Sequence, residues 1–302
     1  MKNIQCTHVK RRGFTMMELI FVIVIMGLLS KYGVEFMAQA YKGFIFSKIN
    51  NKLQNESASS VEFISKRLSN RIKDSVIARK ADNSYTSVAN ATGSGYIILE
   101  WIGSDIDNFR GNALPNWSPI IDLEAGNATN IHSPGTNATA LNNFINALSN
   151  TNTGLSNSAI YFVGSNSDIT SSYNWTNGSG AFTSQQNIAM HPVKEGSTIE
   201  NFTSSITGVD FTGVDVYEYY KLSWTAYAVV LNTNNHELRL YYDYQPWAGD
   251  NYSDAGTKNE LIMENVSTFK FGAIGSLIKV QVCVQSQLTG GEYSICKEKT
   301  VY

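Results

Sequence analysis

The chain has 302 residues, 43% of them hydrophobic and only 16% charged, with a formal net charge of −2. That length supplies one large domain or two small ones with ample material for a core, and the composition excludes a disordered protein. The charge is uneven. Residues 1–13 hold Lys2, Lys10, Arg11 and Arg12 and no acid; taking these four from 23 bases leaves 19 against 25 acids, a formal −6. A remainder of that sign argues against nucleic acid as a general partner.

The first element is a helix. From Phe14 to Val34 the only charges are Glu18 and Lys31, and about 20 mostly apolar residues suffice to span a bilayer. Lys10, Arg11 and Arg12 place the start of the chain on the cytoplasmic side, and everything after the helix on the other. Lys31 can reach the far interface. Glu18 is the anomaly, because a carboxylate inside a membrane segment costs a few kcal/mol and calls for a partner. Ala38-Gln39-Ala40 offers a rival reading, a secretory signal peptide ending at Ala40. The charges of Lys31 and Glu35 between the apolar run and that tripeptide weigh against it.

Gly13, Phe14 and Glu18, the last five positions beyond Gly13 at the head of an apolar helix, resemble the class III leader junction of type IV prepilin-like proteins. The resemblance implies cleavage after Gly13 by a prepilin peptidase and N-methylation of Phe14. It implies that Glu18 pairs with the Phe14 amine of a neighbouring subunit during assembly, where an unpaired buried charge is expensive. Its implied partners are the peptidase, other pilin or pseudopilin subunits and an inner-membrane assembly platform. Its implied location is the bacterial inner membrane, single-pass with a periplasmic C-terminal domain, and then a pilus or pseudopilus. Two departures are Met16 and Met17, where leucines are commoner, and Glu35, where major pilins often carry a helix-kinking proline.

Between Phe14 and Arg79 there is no proline. Val61, Ile64, Leu68, Ile72 and Val76 recur at steps of three or four, which predicts an amphipathic helical stripe continuing to about residue 80. A first strand is expected at Tyr96–Ile102. Residues 103–158 and 165–205 are rich in Asn, Ser, Thr and Gly. Within them Leu141, Phe144, Ile145 and Leu148 predict a short helix with Thr139 as N-cap, and Ala159–Val163 predicts a strand. Lys221–Leu231 and Glu237–Tyr244 flank Asn232-Thr233-Asn234-Asn235, a hairpin signal. Residues 245–258, with Pro246, Trp247 and Asp250, read as a surface loop. Glu260–Met263 and Val266–Phe271 precede two closing strands, Ser276–Gln287 and Tyr293–Tyr302.

The closing hairpin has a checkable register. Ile278, Val280, Val282 and Val284 form one face and leave Cys283 on the other, toward solvent. A two-residue turn at Thr289-Gly290 pairs Leu288 with Gly291, and five residues back on each side lie Cys283 and Cys296. These are the two cysteines left once the leader, with Cys6, is removed, and a single disulfide is expected between them. The order of this C-terminal half is similar to that of the J-type pseudopilins and W-type minor pilins.

The expected fold class is therefore α+β and pilin-like: a long N-terminal helix, membrane-spanning in its first half, then an antiparallel β-sheet domain with long Asn/Ser/Gly-rich loops. The expected divisions are a leader at 1–13, a membrane or filament-core helix at 14–34, its extracytoplasmic continuation at 35–80 and a globular domain at 81–302. Catalytic motifs are missing: there is no His-Glu-x-x-His, no Gly-x-Ser-x-Gly and no phosphate-binding glycine loop, so no enzyme and no cofactor are expected. Asp105 and Asp107, or Asp243, Asp250 and Asp254, are calcium candidates without a complete oxygen-ligand spacing. Tyr217, Tyr219, Tyr220, Trp224, Tyr241, Tyr242, Tyr244 and Trp247 read as strand packing, with an exposed subset available to a sugar, a secreted substrate or DNA. The expected function is a minor pilin or pseudopilin that initiates or caps a filament. The alternative is a pilus-tip adhesin or receptor binding a glycan, DNA or a secreted substrate.

Overall fold

A computed structural model describes residues 13–93, 95–109, 114–149, 153–165, 167–176, 180–286 and 293–302. Residues 1–12 of the expected leader and the expected turn Thr289-Gly290, with its flanking Leu288 and Gly291, lie outside the described residues. The chain divides into two compact units, Met1–Lys52 and Leu53–Tyr302.

One helix, α1, runs from Met16 to Leu68. In the first unit its apolar side chains are uncovered: Phe14, Met16, Met17 and every Leu, Ile, Val and Phe up to Val34 are exposed. In the second unit the same helix buries Leu53, Ser57, Ser60, Val61, Ile64, Ser65 and Leu68. Val61, Ile64 and Leu68 are the first three members of the predicted stripe. The helix then stops, short of the expected residue 80. Ser69 Oγ and Asn70 Nδ2 both donate to the Lys66 carbonyl, at 2.7 and 3.0 Å, and Arg71 donates to Leu68 O. These side chains satisfy the last helical carbonyls. Ile72 N then bonds Ile102 O at 2.9 Å, so Ile72 and Val76 are buried beside a sheet rather than along a helix. Spacing alone cannot tell the two apart.

The second unit is antiparallel throughout. Its strands among the described residues are β1 Ile77–Lys80, β2 Tyr85–Ser87, β3 Tyr96–Ile102, β4 Ile131–His132, β5 Ala159–Phe162, β6 His191–Glu195, β7 Asn201–Ser204, β8 Tyr220–Ser223, β9 Ala226–Asn232, β10 Glu237–Tyr244, β11 Lys258–Met263, β12 Val266–Ile274, β13 Leu277–Ser286 and β14 Tyr293–Val301. They form three sheets, ordered β11-β10-β9-β3-β1-β2, β4-β7-β6-β5-β8 and β12-β13-β14. Tyr96–Ile102 has the expected bounds but is preceded by β1 and β2. The strand expected over Lys221–Leu231 breaks at Trp224-Thr225. There the chain leaves one sheet, where β8 pairs with β5, and enters another, where β9 pairs with β3 and β10.

The helix α2, Ala138–Ser149, carries Leu141 and Ile145 into a core with Ile121, Phe162, Phe202, Tyr220 and Leu222. Its cap is Asn137, not Thr139. Asn137 Oδ1 accepts from Ala140 N at 2.9 Å, while Thr139 Oγ1 donates to Glu195. A second core gathers Ile72, Ile77, Ile98, Tyr173, Met190, Tyr244 and Trp247. Trp247, expected on a surface loop, is 1% exposed, and its indole N–H donates to Asn157 O at 2.8 Å. Pro246 sets off a short 3-10 turn that points the indole inward. The C-terminal half of α1 is tied to the sheets by Ser60 Oγ on Met263 Sδ, by Arg67 on the Tyr227 hydroxyl and by a Lys299–Glu62 ion pair.

Candidate functional site

The residues singled out at the N-terminus lie at the mouth of α1. Gly13, Phe14 and Thr15 are outside the helix and exposed. The Gly13–Phe14 bond is thus in accessible, non-helical backbone. A Cβ built on Gly13 meets nothing within 4 Å, so the chain itself does not demand glycine there. Glu18 sits in the first helical turn, and its carboxylate is not idle. Thr15 N donates to Glu18 Oε2 at 3.0 Å, Thr15 Oγ1 donates to the same oxygen at 3.0 Å, and Glu18 N donates to Thr15 Oγ1 at 3.3 Å. This is a reciprocal capping box that satisfies donors the helix start would otherwise leave open. Its signal, Thr-x-x-Glu, stands in the sequence at Thr15-Met16-Met17-Glu18. Glu18 thus has a partner within its own chain as well as any it gains from a neighbouring subunit.

Beyond the box, α1 is long and apolar enough to cross a membrane, by length and composition. Its 53 residues would extend about 80 Å at about 1.5 Å per residue.

At the other end of the chain, Cys283 and Cys296 are joined by a disulfide with a Cα–Cα distance of 4.0 Å, and they are direct partners in the β13–β14 register. One detail differs from expectation. Cys283 does not face solvent: it is 6% exposed, whereas Cys296 is exposed. The bond lies over β13, which is the central strand with β12 and β14 on either side, so Cys283 is covered and Cys296, on the edge strand, is not.

The loop acids are engaged singly. Asp105 is buried and accepts from Asn108 and from the Trp117 indole; Asp243 pairs with Lys258 at 2.7 Å. Asp250 accepts from Gln245 N and Asp254 from Asn251 N. Among the described residues, no group of three or more His, Cys, Asp or Glu side chains is placed to hold a metal ion. The aromatic residues grouped by the sequence are divided. Tyr220 and Trp224 belong to one core and Tyr244 and Trp247 to the other, while Tyr219 is exposed. His132 Nδ1 bonds Asn201 Oδ1 at 2.9 Å, and His191 is buried among Phe162 and Phe211.

The chain therefore presents an exposed apolar helix opened by a capping box and continued into a disulfide-bonded, antiparallel β domain. Compared with family models, with curated proteins and with solved structures, it finds no match in any of the three.

Proposed function

We propose that this chain is a minor pilin or pseudopilin: a subunit held in the inner membrane by α1, processed by a prepilin peptidase after Gly13, and assembled into a filament that it initiates or caps. One observation carries the reading. The Gly13-Phe14 junction, in exposed non-helical backbone, opens directly into a helix whose apolar side chains have no cover in their own unit. Lipid covers such a surface before assembly, and packed helices of other subunits cover it afterwards. Cleavage frees a cationic amine on Phe14, and Glu18 supplies the carboxylate that neutralises a neighbour's amine in a low-dielectric filament core.

The test is co-expression with a prepilin peptidase, followed by intact-mass measurement and N-terminal sequencing. A mature N-terminus at Phe14, gaining one methyl group, is the expected result; a start at Tyr41 would replace the reading with a secretory signal. Glu18→Ala is expected to leave cleavage intact and to lower recovery in sheared filaments tenfold or more. Wild-type recovery of that variant would remove the pairing argument.

A further inference from the structure

The Asn- and Ser-rich stretch builds a polar cleft of about 540 Å3, between the loop that follows β5, the segment leading into β6 and the turn before β8. That size is within the range of small-molecule sites, about 300–1,000 Å3. Its floor includes His191, which is 3% exposed. Gln185 Nε2 donates to Pro192 O at 2.8 Å and to Ser204 Oγ at 2.9 Å, so its Oε1 is left to accept from His191 Nδ1 at 3.1 Å. The proton is thereby assigned to Nδ1. Nε2 is a lone-pair acceptor with no hydrogen-bond partner among the described residues. Burial pushes the imidazole down to about 4, so the ring is neutral at neutral pH.

The walls are built with similar economy. Gln186 Nε2 donates to Thr212 O at 3.0 Å, which leaves its carbonyl oxygen as the free end. The approach requires Gly213: its φ is +75°, and a Cβ there would lie 2.7 Å from Gln186 Nε2. The Tyr217 ring, half-buried, rests against Gly164, whose φ is +102°. Asp168 and Asp215 stand exposed at the rim, and among the described residues no Lys or Arg lines the cleft.

The groups that face the cleft are mostly acceptors: the His191 lone pair, the Gln186 carbonyl and the Asp215 carboxylate accept, while the Asn187 amide and the serine hydroxyls can also donate. A ligand must bring donors, which a phosphate or carboxylate does not. A cation would meet the carboxylates at the rim but would have to leave water to reach a neutral imidazole set between Phe162 and Phe211. A ring of hydroxyls on an apolar face meets every part: O–H groups for the acceptors and a C–H face for Tyr217. We infer that this cleft binds an uncharged saccharide, its hydroxyls donating to His191 Nε2, Gln186 Oε1 and Asp215, with one sugar face packed on Tyr217. This goes beyond the filament reading and does not depend on it, because the cleft lies wholly within Leu53–Tyr302.

The test uses the full chain in detergent micelles on an array of oligosaccharides ending in glucose, galactose, mannose or N-acetylglucosamine, with sialylated oligosaccharides and immobilised spermidine for comparison. Saturable binding to at least one neutral oligosaccharide is expected, with no binding to the sialylated ones. Asp215→Ala, exposed at the rim, is expected to weaken it tenfold or more without lowering Tm; Tyr217→Ala is expected to weaken it tenfold or more with some loss of Tm, because the ring also packs against the core. No neutral oligosaccharide bound at millimolar concentration, binding undiminished in both variants, or capture of spermidine alone would each overturn the assignment. Binding is read on unassembled protein, so a failure to enter filaments and a failure to bind sugar remain separate results.

Discussion

Asp105 and His191 set two opposed pH dependences that single substitutions separate. Asp105 is 4% exposed, and burial raises its carboxyl from 3.8 to about 6, against the hydrogen bonds from Asn108 and Trp117 that favour its charge. Its folded pKa is above the unfolded one, so its contribution is fully present below 3.8 and is lost as pH rises through about 6. His191 is the reverse. Burial lowers it from 6.5 to about 4, so its contribution is fully present above 6.5 and is lost as pH falls through about 4. At ~1.4 kcal/mol per pH unit, each span corresponds to roughly 3 kcal/mol. Between pH 4 and 6 the two nearly cancel in the wild-type protein. Urea unfolding of the full chain in detergent, followed by tryptophan fluorescence from pH 7 to 4, reads them as differences from wild type. Asp105→Asn is expected to lose about 3 kcal/mol more than wild type on acidification, and His191→Phe about 3 kcal/mol less. The absolute change at pH 7 is not the readout, because an amide in place of the Asp105 carboxylate would leave the donors of Asn108 and Trp117 short of an acceptor. Asp82, exposed, and Asp122 and Asp210, partly exposed, are held below the usual carboxylate range by local hydrogen bonds and add an acid loss, setting in below their ordinary value of 3.8, that is common to all three proteins. Curves for both variants parallel to wild type would refute the assignment of either group.

The disulfide closes a short loop, with 13 residues of sequence separation, for which chain entropy gives about 3 kcal/mol. A Cys283→Ala/Cys296→Ser double variant is expected to keep the fold, since the valine face of β13 still packs, but to melt earlier, and free thiols in a non-reducing peptide map of the wild type would contradict the pairing. Arg71 is 2% exposed and donates to Leu68 O, Ser276 O and Tyr302 O, at 2.9, 2.7 and 3.3 Å, tying the end of α1 to the residue before β13 and to the residue after β14. Arg71→Met removes the donor to the Ser276 and Tyr302 carbonyls, while Leu68 O keeps the backbone N–H of residue 71 at 3.2 Å, and is expected to cost about 3 kcal/mol, which for a domain of this size lowers Tm by roughly 6–12 °C; an unchanged Tm would show that water replaces the guanidinium.

What could be read from the sequence follows the range over which each signal acts. The closing hairpin was legible because alternation, cysteine arithmetic and a common turn centre are local and agree with one another. The cysteine pair fell into register as counted, although the covering of Cys283 by neighbouring strands did not follow from that count. The end of α1 was not legible. Ile72 and Val76 continue the three- and four-residue steps of Val61, Ile64 and Leu68, and the stop is made by Ser69, Asn70 and Arg71 side chains on helical carbonyls rather than by Gly or Pro. The break at Trp224-Thr225 was hidden because both flanking strands are buried and apolar, so the run is unbroken while the partner changes. Strands β4, β6 and β7 lie in polar stretches without alternation; they pair with one another, as in Ile131 on Phe202 and Val193 on Ser204, and join the rest of their sheet through β6 on β5. The cleft above His191 depends on that long-range pairing: its residues from Ser165 to His191 fall in the Asn-, Ser-, Thr- and Gly-rich stretch, and Tyr217 reads in the sequence as strand packing.

The capping box alters what the filament reading asks of Glu18. A carboxylate in the first turn of a membrane helix was an anomaly as long as its partner had to come from another subunit, because the lone subunit would have to carry an unpaired charge in the bilayer. Thr15 removes that difficulty: its N–H and hydroxyl both reach Glu18 Oε2, and the carboxylate in turn stabilises the positive end of the helix. In the proposed assembly step, the arriving amine of a neighbour's Phe14 need not rescue a bare charge. A second oxygen, Oε1, is free of the Thr15 contacts, so the neighbour can be bound while the cap persists. The net gain on assembly is then that of adding a cation to an already hydrogen-bonded carboxylate, smaller than that of pairing an isolated one and more dependent on correct register. On this reasoning Thr15 and Glu18 act as one unit, with the threonine holding the carboxylate in the first turn where a partner from outside the chain can reach it.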